Sequence, residues 1–334
     1  MLLLTLWASP VAAWNEAGHM TAALIAYDRL PAAVQVSAVR LLRAHPRFHA
    51  DFETRLPRSL VAATAAQQDR WYFAVAAMWP DIARRFDDEH DAATRSALVA
   101  RYHHGGWHYI NLPTYLRTSD EKAIHAATPS MRWSADLSDD RLNLVQALEK
   151  LTTQWCVTGQ SDAQRAVALS WLVHLIADLH QPLHTTALYA IPLYVSGDRG
   201  GNDITVTGGA NLHAVWDAAF GTDLGPRRLD ALAHDYGGAA TADPVTLGVA
   251  TDPARDFRRW TKQGRDLAAR VVYTETIRSA VSTATDARPP RVRLDADYRA
   301  EVRAPAQRQI ALAGQRIAWV TQTLFAQTRS ACGR

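Results

Sequence analysis

Residues 174–184 read HLIADLHQPLH and hold three side chains that can ligate a metal ion: His174, Asp178 and His184. His174 and Asp178 are four residues apart, so on a helix their side chains lie on the same face. The Gln-Pro pair that follows disfavours a continued helix and bends the chain before His184. This stretch therefore predicts a helix whose end carries converging ligands.

A second His/Asp pair with helical spacing follows about thirty residues later. His213 and Asp217 in NLHAVWDAAF are again four residues apart, so they also share a helix face. Two such pairs with His184 between them indicate zinc, because zinc binds imidazole nitrogen and carboxylate oxygen readily.

The chain begins with an uncharged apolar run, MLLLTLWASPVAA, over residues 1–13. The run closes in Val-Ala-Ala, the small-residue pattern of a signal-peptidase site, and is too short to span a bilayer. Cleavage after Ala13 would leave Trp14 as the mature N-terminus of a secreted or periplasmic protein. The positive charges that usually open a signal peptide are missing, which fits a start codon further upstream. A buried N-terminal segment is the alternative.

The composition, with 334 residues, 48% hydrophobic and 21% charged, is that of a soluble globular protein. The length allows two domains, but no linker, repeat or low-complexity tract divides the chain, so we predict a single domain over residues 14–334. No stretch after residue 13 is apolar enough to cross a membrane. Cys156 and Cys332 permit one disulfide in an oxidising compartment, and a pair of free buried thiols is the alternative.

The formal net charge of +3 is unevenly distributed along the chain. Residues 251–334 carry 16 Arg and Lys against 8 Asp and Glu, a local charge of +8 that leaves −5 for the rest. A basic C-terminal face could attract polyanions, and a solvated charged face is the alternative.

Apolar residues recur at three-and-four spacing through much of the chain, which predicts an all-α fold. Ser161 and Asp162 are expected N-cap residues. Ile204–Val206 with its Gly-rich flanks predicts one small β-hairpin around GDRGGND, and Ala287–Asp297 is predicted to be an exposed loop. The predicted helices are Glu16–Asp28, Ala32–Ala44, Asp139–Trp155, Ser161–Asp178, Ala210–Phe220, Arg227–Asp235, Pro253–Ser279 and Ala304–Gln327.

Three more side chains and one amino group extend the set of potential ligands. His19 lies five residues after Trp14, Asp81 follows Trp-Pro, and His108 lies in GGWHYIN. Each alone is ordinarily a capped or hydrogen-bonded group. A freed α-amino group, with a pKa of about 8, can ligate a metal once deprotonated, and the carbonyl of the same residue can chelate with it.

In its order of motifs the chain resembles the zinc-dependent single-strand-specific nucleases, also called class I nucleases or 3′-nucleotidases. Zinc phospholipase C shares their fold, a single-domain bundle of helices. The resemblance runs from Trp14 to about Phe220 and rests on the following motifs: Trp14 with His19, WPD with Asp81, WHYIN with His108, HLIADLHQPLH, GGNDITV and NLHAVWD.

The resemblance implies nine ligands for three Zn2+ ions, with Asp178 bridging two of them. The implied sets are Asp81, His108, His174 and Asp178 for one zinc; the Trp14 amino terminus, His19 and Asp178 for its neighbour; and His184, His213 and Asp217 for a third, more exposed zinc.

The implied reaction is hydrolysis of phosphodiester bonds in single-stranded DNA and RNA. Two close zinc ions that share a water make a hydroxide that attacks phosphorus, and the third ion stabilises the departing 3′ oxygen. Asp81 and Asp178 are thereby implied to be catalytic, and cleavage leaves 5′-phosphate products. A terminal 3′-phosphate would be hydrolysed in the same way, which makes 3′-nucleotides a second substrate.

The resemblance also implies substrate contacts for three residues. Arg84, one helical turn past Asp81, stands where the family places a phosphate-clamping arginine; a surface arginine is the alternative. Tyr109 and Asn111 stand where the family stacks on and hydrogen-bonds an unpaired nucleobase, and a packed aromatic is the alternative for Tyr109. Fungal members have Asp where this chain has Asn111, and Asn both donates and accepts, so their base preference is not carried over.

Two other functions are alternatives to a nuclease. A zinc phospholipase C closes its site with Glu where this chain has Asp217, and the GGN loop at Gly200 is that of the nuclease branch. A non-catalytic zinc-binding or structural protein would be favoured if the third site were empty and Arg84 pointed away from the ligands. Among other residues near the motifs, His103 and His104 could touch substrate, and His180 is predicted to turn away from the ligand face. Trp79, Trp107 and Trp216 are predicted to wall the ligands.

Overall fold

The computed structural model describes residues 14–124, 141–155, 157, 159–208, 210–238, 253–285 and 288–330, with Arg132, Trp133, Asp136 and Ser138. Residues 1–13, Cys156 and Cys332 lie outside the described residues, so the signal peptide and the disulfide stay predictions. Within the described part of the chain, no helix has the length and apolar character needed to cross a bilayer.

Helices dominate the described residues, which confirms the predicted all-α class. The helices are α1 Glu16–Arg29, α2 Ala32–Leu42, α3 Ala65–Ile82, α4 Ala92–Tyr102, α5 Thr118–Ala123, α6 Leu144–Gln154, α7 Asp162–Asp178, α8 Leu212–Asp217, α9 Pro226–Gly237, α10 Pro253–Leu267, α11 Glu275–Ser282 and α12 Ala296–Ser330. The strands are β1 Leu112–Tyr115, β2 Thr186–Tyr189, β3 Thr205–Val206 and β4 Arg291–Val292. Two 3-10 turns, Gly105–His108 and Pro182–His184, end on predicted ligands.

The fold is organised around α1, which is buried on all sides. Every residue from Ala17 to Tyr27 is buried, and α3, α9 and α12 pack against this helix. The approach of α12 is close because Gly314 has no side chain: a Cβ at that position would meet Ile25 Cγ2 at 2.5 Å. A helix that is apolar all round belongs in the interior of a protein, and His19 on α1 is buried with it.

The second interior helix, α7, carries His174 and Asp178 on its last turn. Its start is fixed by a capping box, in which Ser161 Oγ accepts from Gln164 N at 3.2 Å and Gln164 Oε1 accepts from Ser161 N at 2.9 Å. Helix α7 packs on α3, whose last turn carries Asp81. The packing of α1, α3 and α7 therefore brings ligands from three helices to one place.

The strands correct the predicted hairpin. β3 pairs in parallel with β4, which lies far along the chain, so this pair is not a hairpin. The segment that follows β3 folds back on it at one antiparallel bridge, between Thr205 and Asn211. The predicted exposed loop is corrected too, because β4 lies within it and Val292 is buried. β1 and β2 form a second parallel pair. The sequence pattern does not reveal β2, because all four of its residues are buried and polarity does not alternate.

Several helix boundaries also differ from the prediction, for identifiable reasons. Helix α3 was not predicted, because Trp71–Pro80 is buried without interruption and the apolar residues therefore show no three-and-four spacing. Helix α4 was not predicted for the opposite reason: Tyr102 is its one buried residue, so the helix has no apolar face. The predicted helix Pro253–Ser279 is interrupted at Tyr273, whose φ of −85° and ψ of 69° leave the helical region, and the predicted Ala210–Phe220 shortens to α8.

Part of the basic excess of the C-terminal region lies inside the protein. Arg316 on α12 is only 2% exposed; its Nη1 donates to His180 Nε2 at 2.8 Å and its Nη2 to Gln263 Oε1 at 2.9 Å. Its guanidinium carbon lies 4.5 Å from the ring centroid of Trp260. His180 thus turns away from the ligand face, as predicted, and ties α12 to the end of α7.

Candidate metal centre

The structure brings all eight predicted side-chain ligands together in three groups. Within each group, one potential ligand atom per residue lies within 4.8 Å of the others, and His174 belongs to two groups. The groups are His19, His174 and Asp178; Asp81, His108 and His174; and His184, His213 and Asp217.

Asp178 lies between several imidazoles. Its Oδ2 is 3.0 Å from His108 Nδ1 and 3.1 Å from His174 Nε2, whereas its Oδ1 is 3.3 Å from His19 Nε2. The same Oδ1 is 4.0 Å from His184 Nδ1, which connects it to the third group. The two oxygens of one carboxylate therefore face different imidazoles, which is the arrangement that a bridging carboxylate needs.

Asp81 and Arg84 form the side of the centre that meets a cleft. Asp81 Oδ1 lies 4.0 Å from His174 Nε2, and Asp81 Oδ2 lies 4.0 Å from His19 Nε2. Arg84 Nε approaches Asp81 Oδ1 to 2.8 Å, but the two groups are not aligned for a hydrogen bond, and neither buried atom has a hydrogen-bond partner among the residues that the structure describes. Arg84 is 13% exposed and faces the ligands, whereas the neighbouring Arg85 is 61% exposed and pairs with Asp87.

Backbone carbonyls orient three of the ligand imidazoles. Nδ1 of His174, His184 and His213 lies 2.7, 2.5 and 2.7 Å from a carbonyl oxygen. A neutral imidazole has a single N–H, so with Nδ1 donating, Nε2 of each ring carries a lone pair. Ligating histidines are held in this way, with the second nitrogen bonded to a carbonyl or carboxylate. The three acceptors are Ala77 O, His108 O and Gly200 O.

In the group of His184, His213 and Asp217, the nitrogen lone pairs of the two imidazoles face each other. His184 Nε2 and His213 Nε2 are 3.1 Å apart, and His213 Nε2 is 3.4 Å from Asp217 Oδ2. Two acceptors at this distance repel each other unless a cation or a proton lies between them. Gln181 Nε2 donates to Asp217 Oδ1 at 2.8 Å, which leaves Oδ2 directed at the imidazoles. This nitrogen and oxygen donor set fits a divalent cation such as zinc.

Burial shifts the pKa values of the ligands in directions that favour a cation. It lowers the pKa of His174 to about 4, raises the pKa of Asp178 to about 7 and raises the pKa of Asp217 well above its usual range. Burial would also raise the pKa of Asp81, but the Arg84 guanidinium and nearby imidazoles outweigh it, so this pKa is lowered. His174 is therefore uncharged at neutral pH and can offer a nitrogen lone pair to a metal. A bound cation would stabilise the negative charges of Asp178 and Asp217, which burial destabilises.

Trp14 is anchored between the helix ends that carry ligands. Its side chain is fully buried, its Nε1 donates to Ala177 O at 3.1 Å, and its ring centroid lies 5.2 Å from that of Phe220. The next residue, Asn15, donates its backbone N–H to Asp217 O at 3.1 Å. The predicted mature terminus is thus fixed beside both Asp178 and Asp217.

The predicted substrate contacts lie at the edge of the centre. Tyr109, directly after His108, is 37% exposed, and Asn111 is half-buried. His103 is also half-buried, and burial and the nearby Arg84 guanidinium lower its pKa. The three predicted wall residues, Trp79, Trp107 and Trp216, are all buried.

A loop before α8 depends on a residue pair that motif spacing does not reveal. Asp198 is buried, and its carboxylate accepts from Leu188 N at 2.9 Å and from Tyr273 Oη at 2.9 and 3.2 Å. Burial raises the pKa of Asp198 to about 7. Two residues on, Gly200 has a φ of +62° and its carbonyl orients His213. No local pattern connects Asp198 with Tyr273, because the two are 75 positions apart.

We expect Gly200→Ala to weaken the third group selectively. The positive φ costs an alanine about 1–2 kcal/mol, and its Cβ would meet Leu183 O at 2.3 Å, so the loop must shift and move the carbonyl away from His213. Gly159→Ala is the matched control, because Gly159 has a φ of +92° but no atom within 4 Å of an added Cβ. Zinc titration should show one site lost in Gly200→Ala only. Equal zinc content in both variants would disprove the role of this carbonyl.

The fold and the site together define an all-α protein with three adjoining groups of potential metal ligands. The sequence matches the S1/P1 Nuclease family over residues 14–326. The chain therefore belongs to the S1/P1 nuclease family, in agreement with the resemblance found in its motifs.

Similar curated proteins include three endonucleases of Arabidopsis thaliana. Endonuclease 2 is 27% identical over 194 residues, which cover 54% of this chain and 58% of that protein. Endonuclease 5 is 38% identical over 84 residues, 19% of this chain and 26% of that protein. Endonuclease 4 is 49% identical over 53 residues, 15% of each chain. The chain thus spans little more than half the length of Endonuclease 2.

Proposed function

We propose that this protein is a secreted or periplasmic zinc-dependent nuclease. It hydrolyses phosphodiester bonds of single-stranded DNA and RNA to 5′-phosphate products, and it removes the phosphate of 3′-nucleotides. Membership of the S1/P1 nuclease family supports the reaction class. The observation that carries the zinc assignment is the pair of facing lone pairs on His184 Nε2 and His213 Nε2 beside a buried carboxylate.

Three zinc ions are proposed, and the nine ligands divide as the resemblance to the family implies. Asp81, His108, His174 and Asp178 hold the first, the Trp14 amino group, His19 and Asp178 the second, and His184, His213 and Asp217 the third. When bound, zinc supplies Lewis-acid chemistry: it lowers the pKa of a water toward neutrality and offsets the charge of a phosphate. Burial lowers the pKa of His19, His108, His174 and His184 and so keeps these imidazoles neutral. Backbone carbonyls orient three of the ligand rings, so little rearrangement is needed on loading.

Arg84 is proposed to hold the phosphate that is hydrolysed. It stands between the ligands and a cleft of about 360 Å³ whose lining includes Asn15, Asp81, Arg85 and Thr222. A planar guanidinium can donate two hydrogen bonds to phosphate oxygens and match the charge that grows on them. Its position against Asp81 argues against the non-catalytic alternative, in which Arg84 would point away from the ligands.

Tyr109 is proposed to stack on the base next to the reacting phosphate, with Asn111 as its hydrogen-bonding neighbour. A flat aromatic ring accepts any base, but a base inside a duplex cannot offer its face. The preference for single strands therefore follows from the use of a stacking contact at the edge of the centre.

Three assays on one preparation separate the candidate activities. We expect release of acid-soluble nucleotides from denatured DNA and from RNA, and release of phosphate from 3′-AMP. Duplex DNA of the same sequence is the control for strand preference and should be cut more slowly. Lecithin tests the phospholipase C alternative, and phosphocholine release without nucleotide release would overturn the proposal.

We further propose that residues 1–13 are removed on export, so that the Trp14 amine becomes a ligand. A protein that retains one alanine before Trp14 should lose about 10–100-fold in activity, since an acylated nitrogen cannot ligate. Activity and zinc content would be compared with those of protein beginning at Trp14. Similar thermal melting of the two metal-free proteins would show that both fold. Equal turnover of the two zinc-loaded proteins would refute the assignment of the amine.

A further inference from the structure

The C-terminal region, residues 253–285 and 288–330, contacts all three segments that carry the ligands of the third group. These ligands are His184, His213 and Asp217, and the motifs that contain them end near Phe220. The motifs assign no part of the metal centre to the chain beyond Phe220, whereas the contacts between distant segments do.

The first contact reaches His213 through the loop before α8. Tyr273, which is 1% exposed, donates its hydroxyl to the carboxylate of Asp198 at 2.9 Å, and a backbone N–H of β2 fastens the same carboxylate from the other side. Two carbonyls of this loop then hold His213: Gly200 O lies 2.7 Å from its Nδ1, and Gly201 O accepts from its backbone N–H at 3.4 Å. The Tyr273 hydroxyl therefore helps to fix the direction of the His213 ring.

The backbone of Tyr273 is itself held on both sides. Its N–H donates to Ala268 O at 2.9 Å, and its carbonyl accepts from Arg278 Nε at 3.1 Å. Arg278 Nη1 also donates to Tyr115 O at 3.1 Å, at the end of β1. The hydroxyl is thus presented to Asp198 by a segment that is tied both to the C-terminal region and to the strand pair.

The second contact reaches Asp217 through its neighbour in the chain. Trp216 is fully buried and donates its indole N–H to Tyr298 Oη at 3.0 Å. Tyr298, on α12, in turn donates to Val272 O at 3.3 Å, next to Tyr273. The two tyrosines therefore meet at one turn of the C-terminal region, and α8, which carries Asp217, is tied to the same turn.

The third contact supports the turn that ends on His184. Gly264 on α10 lies against Thr185, and a Cβ at position 264 would meet Thr185 Oγ1 at 2.7 Å. The same hydroxyl donates to Pro182 O at 2.7 Å and closes the turn Pro182–His184. The close approach of α10 therefore holds this turn in place.

We propose that Tyr273 and Tyr298 are positioning residues for the third group. They align His213 and Asp217 with His184, so that the three side chains can share one cation. This role rests on the proposed third zinc, whose site the C-terminal region completes. The ligands of the other two groups lie on α1, α3, α7 and the turn before β1, so loss of either hydroxyl should weaken the third site alone.

Zinc titration of Tyr273→Phe and Tyr298→Phe tests the proposal, because phenylalanine keeps each ring and removes one hydroxyl. We expect about tenfold weaker binding at one site, the lower end of the effect of altering groups that orient metal ligands, with the other two sites unchanged. The weakened site is identified as the one that His213→Ala removes. Tyr236→Phe is the matched control: the Tyr236 hydroxyl accepts from Gln307 on α12 at 3.2 Å, outside the third group, and this variant should bind zinc as the wild type does.

A measurement on the metal-free protein separates positioning from general stability. In proton–nitrogen correlation spectra of the imidazoles, wild-type His213 should carry its proton on Nδ1, which faces Gly200 O. Tyr273→Phe should give a mixture of Nδ1–H and Nε2–H forms, because the carbonyl is placed less firmly. His174, whose Nδ1 is held by Ala77 O, is the internal control and should not change.

Wild-type affinity at the third site in either variant would overturn the role of that tyrosine, as would an unchanged His213 spectrum for Tyr273. These results would leave the proposed nuclease unaffected. Equal weakening of all three sites would also overturn the proposal, since the hydroxyls would then support the fold as a whole. Wild-type protein that binds no zinc at the third group would overturn the inference and the proposed third zinc together.

Discussion

Replacing Asp178 with asparagine should remove zinc from two positions at once and lower kcat/KM by more than about 100-fold. The Oδ1 of Asp178 faces His19, and its Oδ2 faces His108 and His174. An amide has no charge and only one oxygen, so it cannot serve both sides. Altered partners of metal ligands already cost about 10–100-fold in affinity or activity, and a shared ligand should cost more.

The measurement for Asp178→Asn is zinc per chain, with thermal stability and turnover of the same sample. The melting temperature should fall with the zinc content, because metal binding stabilises only the folded chain. Asp256→Asn is the control for removing a buried carboxylate, since Asp256 is fully buried but pairs with Arg259, outside the three ligand groups. It should lose stability and keep its zinc. Full zinc stoichiometry in Asp178→Asn would contradict the bridging role.

Arg84→Ala should lower kcat by about 10²–10³-fold, the effect of removing a donor aimed at charge that develops in the transition state. Zinc content should stay complete, because Arg84 is not a ligand. The guanidinium lowers the pKa of Asp81, so in Arg84→Ala this pKa should rise and zinc loading should need a higher pH. Arg84→Lys should recover part of the activity, since an ammonium keeps the charge but not the two-pronged contact.

Arg85→Ala is the matched control for this variant. Arg85 is the next residue, is largely exposed and pairs with Asp87, so its removal should change kcat little. Single-turnover hydrolysis of 3′-AMP by zinc-loaded protein separates the chemical step from product release. The phosphate-holding role would fail if Arg84→Ala and Arg85→Ala had the same rate constant.

The grouping of the candidate ligands could be predicted because most of them lie in short motifs. His174 with Asp178, and His213 with Asp217, are joined by one turn of helix, so spacing alone places each pair on a face. Asp81 was assigned from its Trp-Pro-Asp motif, although the helix that carries it, α3, was not predicted. The burial of α3 on all sides removes the periodicity that identifies a surface helix.

Contacts between distant segments could not be predicted in this way. The Tyr273 hydroxyl reaches Asp198 across 75 positions, and β4 pairs with β3 from within a segment that reads as a loop. The aromatic residues around His108 are a further example. Trp107 was predicted to wall the ligands from its place beside His108, whereas Trp171, whose ring centroid lies 5.3 Å from that of His108, is brought there by the packing of α7. Such features depend on packing, which no local pattern encodes.

Elemental analysis of active, N-terminally sequenced protein tests the metal centre most directly, combined with hydrolysis of denatured DNA before chelation, after chelation and after zinc is restored. The three ligand groups predict three zinc ions per chain, activity that disappears with the metal and returns with it, and an N-terminus at Trp14. Active protein that contains no zinc, or hydrolysis that is insensitive to chelation, would contradict the zinc-dependent mechanism.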